Sequence, residues 1–395
     1  MRSPSDGPVS AGRWRAGLCA FFLSIGISFA SWITRTPDIR DALGASTAQM
    51  GLALAGLSVG SIVGVTAAGI LVARFGPWRV MTSSALLMIV GLLVIALATV
   101  QASTVLVSAG LSFFGLGVGL SEVATNVEGA YLESVSGVTV LPPLHGSYNI
   151  GSVVGGVLGI VASARHVPVL PHLGGAGLVM ILVGTWAMRG IPVRPGSAGD
   201  RPRVRARPAS VWRDRSLLLI GVVILGMALA EGTANDWLPL IAVDDFAASK
   251  PIASLAFTLF SVMMAVGRFS AGPLLRALGR VNAIRLTATT GALGIVVVTL
   301  APSLAVAVVG VVLWGFGASL GFPVAISAAG DDPARATARV TVVTMVGYVA
   351  FLAGPPLLGQ LGQEVSLRNA IVVTAGAVVI AGLCAPALRK TRQHV

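Results

Sequence analysis

Twelve apolar runs, each about as long as a bilayer is thick, divide this chain of 395 residues. A hydrocarbon core of about 30 Å takes roughly 20 apolar residues as helix. The runs lie near 15–35, 47–73, 79–98, 104–126, 138–164, 168–189, 216–237, 251–275, 281–301, 304–329, 338–362 and 368–388. Between them no stretch remains that is long enough for a separate soluble domain. Hydrophobic residues make up 55% of the chain and charged ones 11%, against about 45–50% and about 25% in soluble proteins. That balance excludes an ordinary soluble enzyme, a disordered tail and a coiled coil. The expected fold is an all-α membrane protein with twelve transmembrane helices. Arg13, Arg15 and the Ser28-Phe29-Ala30 run give the first span some likeness to a signal peptide. Its apolar core is too long for one.

The formal charge of +12 hints at nucleic acid until the charges are placed. With both termini in the cytoplasm, cytoplasmic segments hold 21 Lys or Arg and the opposite side 5. This is the positive-inside pattern. The domain reading follows: an N-terminal tail over 1–14, a six-helix half over 15–189, a cytoplasmic linker over 190–215, a second half over 216–388 and a tail over 389–395. The linker carries Pro192, Pro195, Pro202 and Pro208 among its arginines. Attraction to anionic lipid headgroups accounts for it without a nucleic-acid partner. Cys19 and Cys384 both lie in apolar runs, and four scattered histidines make no ligand cluster. Neither a disulfide framework, a metal nor a cofactor is expected.

The halves repeat. Phe114-Gly115-Leu116-Gly117 matches Trp314-Gly315-Phe316-Gly317 at an offset of 200, as Tyr148 matches Tyr348 and Gly159 matches Gly359. Gly69 and Gly76 match Gly272 and Gly279 at 203, and Trp32 matches Trp237 at 205. Two parallel six-span halves joined by a basic loop resemble the major facilitator superfamily. Gly151, Gly155, Gly156 and Gly159 then let helix backbones approach closely in lipid.

Several motifs carry the resemblance. Gly69 to Arg79 is similar to the superfamily signature G-x-x-x-D-R-x-G-R-[RK] of the loop between spans two and three. Gly69, Arg74 and Gly76 fit; Ala73 and Pro77 replace the acidic residue and an arginine. Gly272 to Arg280 is the second copy, with Arg276 at the acidic position. The resemblance implies that these segments gate the cytoplasmic side. Gly151-Ser152-Val153-Val154-Gly155-Gly156 is similar to the exporter motif G-P-x-x-G-G, with Ser152 for proline, and Leu111 stands where such exporters carry arginine. Leu120 to Asn126 resembles the L-E-x-A-x-N run of the fucose-permease group of sugar/proton symporters, whose glutamate takes part in proton transfer. That group's first-span aspartate is replaced here by Ile33. Trp32 to Arg40, Asn126 to Gly129 and Gly317 to Pro323 resemble the YbjJ group of bacterial inner membrane proteins.

Ionisable groups at membrane depth are functional candidates in their own right, because leaving one unpaired there costs several kcal/mol. Glu122 in span four and Glu231 in span seven are the proton-coupling candidates. Asn126, His145, Asn149, Asn235, Asp236 and Trp32 are the candidate substrate contacts. His145 and Asn149, like Glu231 and Asn235, are four apart and share a helix face. Glu128 and Glu133 are expected in solvent beyond span four, and Arg268 is expected to snorkel to the cytoplasm. Arg35 could pair with Asp38 or bind an anionic solute, and is read more simply as an interfacial residue beside the aromatic belt. No H-E-x-x-H, G-x-S-G or Walker loop occurs, so the chain is not read as an enzyme. The expected function is secondary transport of a small polar solute such as a sugar, coupled to protons, by a monomer in the inner membrane. The alternative is proton-driven efflux of a hydrophobic compound.

Overall fold

The computed structural model describes residues 10–136, 140–194, 214–331 and 336–389. Twelve helices among them are long and apolar enough to cross a membrane, and they coincide with the twelve runs. Most of the basic linker, both terminal segments and the side chains at 142, 336–338 and 341 lie outside the described residues.

Local chemistry sets the helix ends. Ser10 caps the first span, Ala11–Ile33, accepting a hydrogen bond from the Arg13 amide. Asp214 caps the seventh, Arg215–Asp244, accepting from the amides of Ser216 and Leu217. Such side chains satisfy amide donors that the first helical turn leaves free. Gly76 takes φ 84° between Thr47–Phe75 and Pro77–Val100, and Gly279 takes φ 70° within Ala271–Leu300. Only glycine adopts those angles at little cost. The paired glycines of the loop signature are therefore backbone turns in both halves.

Three helices differ from expectation. The fourth span runs Thr104–Ser136, ten residues past the apolar run, so Glu128 and Glu133 are helical. The seventh continues to Asp244, so Asp236 lies two turns inside its end. The tenth is broken into Leu304–Ala318 and Gly321–Ala329. Pro323 explains the break, since its ring lacks an N–H and clashes with the carbonyl four residues earlier, that of Ser319. Its counterpart in the first half is Val123, and there the helix runs on.

The chain forms two compact units, Met1–Ala45 with Gly56–Arg201, and Ser46–Ala55 with Pro202–Val395. The second unit thus takes in the opening turns of the second span. Within the first unit, Gly110 packs on the Gly91 carbonyl and Gly117 on that of Ser84. Within the second, Gly310 packs on the Gly294 carbonyl and Gly317 on that of Thr287. Gly115 against Leu57 and Gly315 against Phe260 complete the correspondence. The sequence repeat is a repeat of helix crossings, each placing a glycine where a side chain would collide with backbone.

Candidate functional site

In the first unit the first and fifth spans are joined backbone to backbone. A Cβ on Gly26 would run into the Tyr148 carbonyl, one on Gly151 into that of Leu23, and one on Gly155 into that of Ile27. This contact brings rings together. Phe22 meets His145 edge-on at 5.6 Å and Tyr148 at 6.4 Å, and Phe29 lies 6.3 Å from Tyr148. His145 is exposed and Asn149, one turn on, is 6% exposed. One strip thus combines apolar rings with imidazole, phenol and amide groups, a mixture suited to a solute with both hydroxyls and flat faces.

On the fourth span Asn126 donates to Glu122 Oε1 at 2.9 Å, one helical turn apart. Both are half-buried, and among the described residues no cation pairs with Glu122. Trp32 is only 1% exposed, between Phe29 and Phe114 at 5.8 and 6.5 Å, and among the described residues its Nε1 has no hydrogen-bond partner.

In the second unit Arg268 Nη2 donates to both oxygens of Glu231, at 3.0 and 3.2 Å. The expectation that Arg268 snorkels to the cytoplasm is therefore corrected. Side chains lean toward the N-terminus of their helix. Arg268 is next to last in Lys250–Phe269, so it leans back into the bundle toward the carboxylate. Asn235, one turn beyond Glu231, is half-buried, and Asp236 is 7% exposed.

The fringe of the first unit holds further corrections. Glu128, expected in solvent, is fully buried and pairs with Arg194 at 3.2 Å. The same guanidinium lies 3.2 Å above the Tyr131 ring, which Trp14 approaches at 6.0 Å. Glu133 accepts from the amides of Val140 and Leu141, capping the fifth span, Leu141–Ala164. Arg35 is 3% exposed rather than interfacial, with Asp38 at 2.7 Å and the Val167 carbonyl at 2.8 Å. Sequence reasoning misses the roles of Glu128 and Glu133 because both lie beyond the apolar run, and the partner of Glu128 is 66 positions away. The one available signal is the Asn126-Val127-Glu128-Gly129 segment.

The loop copies differ in chemistry. Gly69 and Gly272 meet no backbone closely, and Arg74 stacks near the ring of its neighbour Phe75 at 5.2 Å. In the second copy Arg280, not Arg276, does the pairing, with Asp331 and with Ser327 Oγ at 2.9 Å.

Among the described residues, twelve helices able to span a membrane and two repeated units describe a polytopic membrane protein with polar groups carried at membrane depth. The Major Facilitator Superfamily model matches residues 227–395. An uncharacterized MFS-type transporter of Yersinia pestis is 27% identical over 354 residues, covering 89% of each chain. Among solved structures, a mutant of the nucleoside transporter NupG superposes with a TM-score of 0.80 at 13% identity, covering 95% of this chain and 100% of its own. A mutant of the fucose:proton symporter FucP of E. coli superposes with a TM-score of 0.67 at 17% identity, covering 95% and 98%. The superfamily model thus accounts for the C-terminal part of the chain, and the chain as a whole shares the fold of these solved transporters.

Proposed function

We propose that the protein is a proton-coupled secondary carrier of a small polar solute, of the sugar or sugar-derivative class, working by alternating access. The observation that carries this reading is Glu122, a half-buried carboxyl at membrane depth whose recorded partner is the neutral amide of Asn126. A carrier needs such a group, free to take and give a proton without breaking an ion pair. Glu231, balanced by Arg268, suits a different part: its pair can open and close as the cycle proceeds. Asn126, His145, Asn149 and Asn235 are the proposed solute contacts. The glycine turns at Gly76 and Gly279, with Gly69, Arg74 and Gly272 nearby, are the proposed gate segments. We place the protein in the inner membrane as a monomer with both termini cytoplasmic, on the 21 to 5 bias of basic residues. The names of the fucose:proton symporter and the nucleoside transporter support this solute class.

Full-length protein in liposomes, offered fucose and nucleosides as probes, tests the reading. Solute addition should drive proton movement in the wild type and fail to do so in Glu122→Gln. Normal proton movement in that variant would remove Glu122 from the mechanism. Efflux of a hydrophobic compound draws on the Phe22, Phe29 and Tyr148 rings, and cells protected only against lipophilic dyes would favour it.

A further inference from the structure

The seventh span carries two acids within two turns, and their surroundings differ. Glu231 has its charge balanced by Arg268 at 3.0 Å. Asp236 is 7% exposed and, among the described residues, neither a hydrogen bond nor an ion pair reaches it. A carboxylate at membrane depth avoids a penalty of several kcal/mol by taking a counter-cation or by taking a proton. Glu231 has the first.

Charged groups on the elements packed against the seventh span are engaged elsewhere. On the eighth, Arg268 belongs to Glu231, while Lys250 begins that helix beyond the 245–249 turn. Asp236 lies eight residues, about 12 Å of helix, short of the end at Asp244. The tenth span, 304–329, carries no charged residue. On the eleventh, Arg339 pairs with Asp214 and the Ala329 carbonyl, Glu364 is exposed, and the Tyr348 ring packs on Phe351. Arg368, at the start of the twelfth, donates to the carbonyls of Thr299 and Ala301, and Cys384 lies at that helix's other end. The nearby hydroxyls of Thr233 and Thr374 bond each other at 3.1 Å.

We propose that Asp236 is the proton-binding carboxyl of the second unit. Its oxygens take a proton from water at one stage of the cycle and return it to water at another, through the small part of the residue left exposed. The cycle itself rests on the secondary-carrier reading; the proton site does not.

The test needs no substrate. Infrared difference spectra of purified full-length protein in lipid vesicles, between acid and alkaline buffer, report the C=O stretch of a titrating protonated carboxyl. The wild type should show such absorption, Asp236→Asn should lose one component of it, and Asp236→Glu should keep that component at a shifted position. Glu122→Gln should retain the Asp236 component. An unchanged band in Asp236→Asn overturns the proposal. Should that variant not fold, an unshifted band in Asp236→Glu overturns it equally. A component that vanishes in Asp236→Asn, in a protein whose wild type moves no protons with fucose or nucleosides, would leave the site standing and sink the carrier reading.

Discussion

The contact between the first and fifth spans and its counterpart between the seventh and eleventh descend from one repeat but are filled differently. In the first unit Gly26, Gly151 and Gly155 face main-chain carbonyls, so two backbones touch. In the second, Gly232 faces the Phe351 ring, Gly354 faces a Leu229 methyl, and Gly347 faces Ile224 and Phe322 side chains. A ring or a methyl can turn aside, and a carbonyl in a helix cannot. The first unit is built to keep its polar strip in one geometry. The second can adjust around its ion pair.

Overpacking should separate the two most sharply. Gly151→Leu pushes a side chain into the Leu23 carbonyl and should cost about 3 kcal/mol or more, read as a large fall in the thermal midpoint of purified protein. Gly354→Ala should cost about 1 kcal/mol or less, because Leu229 gives way. Equal losses would break the comparison. Ion pairs come next. Glu128 is fully buried beside Arg194, whereas Asp331 beside Arg280 is 20% exposed. Glu128→Gln should therefore destabilise by about 2 kcal/mol, below the usual cost of breaking a fully buried pair because Arg194 keeps some water. Asp331→Asn should lie nearer about 0.5 kcal/mol. Chemical unfolding of the two variants side by side decides it.

The smallest effect concerns pH. Burial pushes the Asp245 carboxyl above its ordinary value, against the opposing pull of the Ser366 hydroxyl and of Arg368. The folded chain then holds this proton where the unfolded chain has already lost it. Stability should fall as pH rises from the ordinary carboxylate range through the raised value, and the loss is complete above it. Asp245→Asn should flatten that part of the profile of thermal midpoint against pH. A slope identical to wild type would remove Asp245 as its source.

The spans are legible in the sequence because lipid imposes their length, and the halves because glycines recur wherever backbones cross. The Glu122 and Asn126 pair is legible too, being one helical turn apart. What escapes is satisfied by remote partners. Hydropathy ends the fourth span at Asn126, although its hydrogen-bond ladder continues to Ser136 and the polar residues beyond find Arg194 and the fifth-span amides. Arg268 defies its sequence reading because helical lean, not distance to the nearer surface, decides where its guanidinium goes. Trp32 stands near the end of its span, and its ring contacts with Phe29 and Phe114 are not legible from its position there.

His166 and Ser366, 200 positions apart, both turn left at φ 51° and 74°, although neither is glycine. A positive φ thus recurs at matching places in the two halves where the residue types differ. Distant copies of this half-molecule are better sought by where a chain must bend or touch than by which side chains it carries.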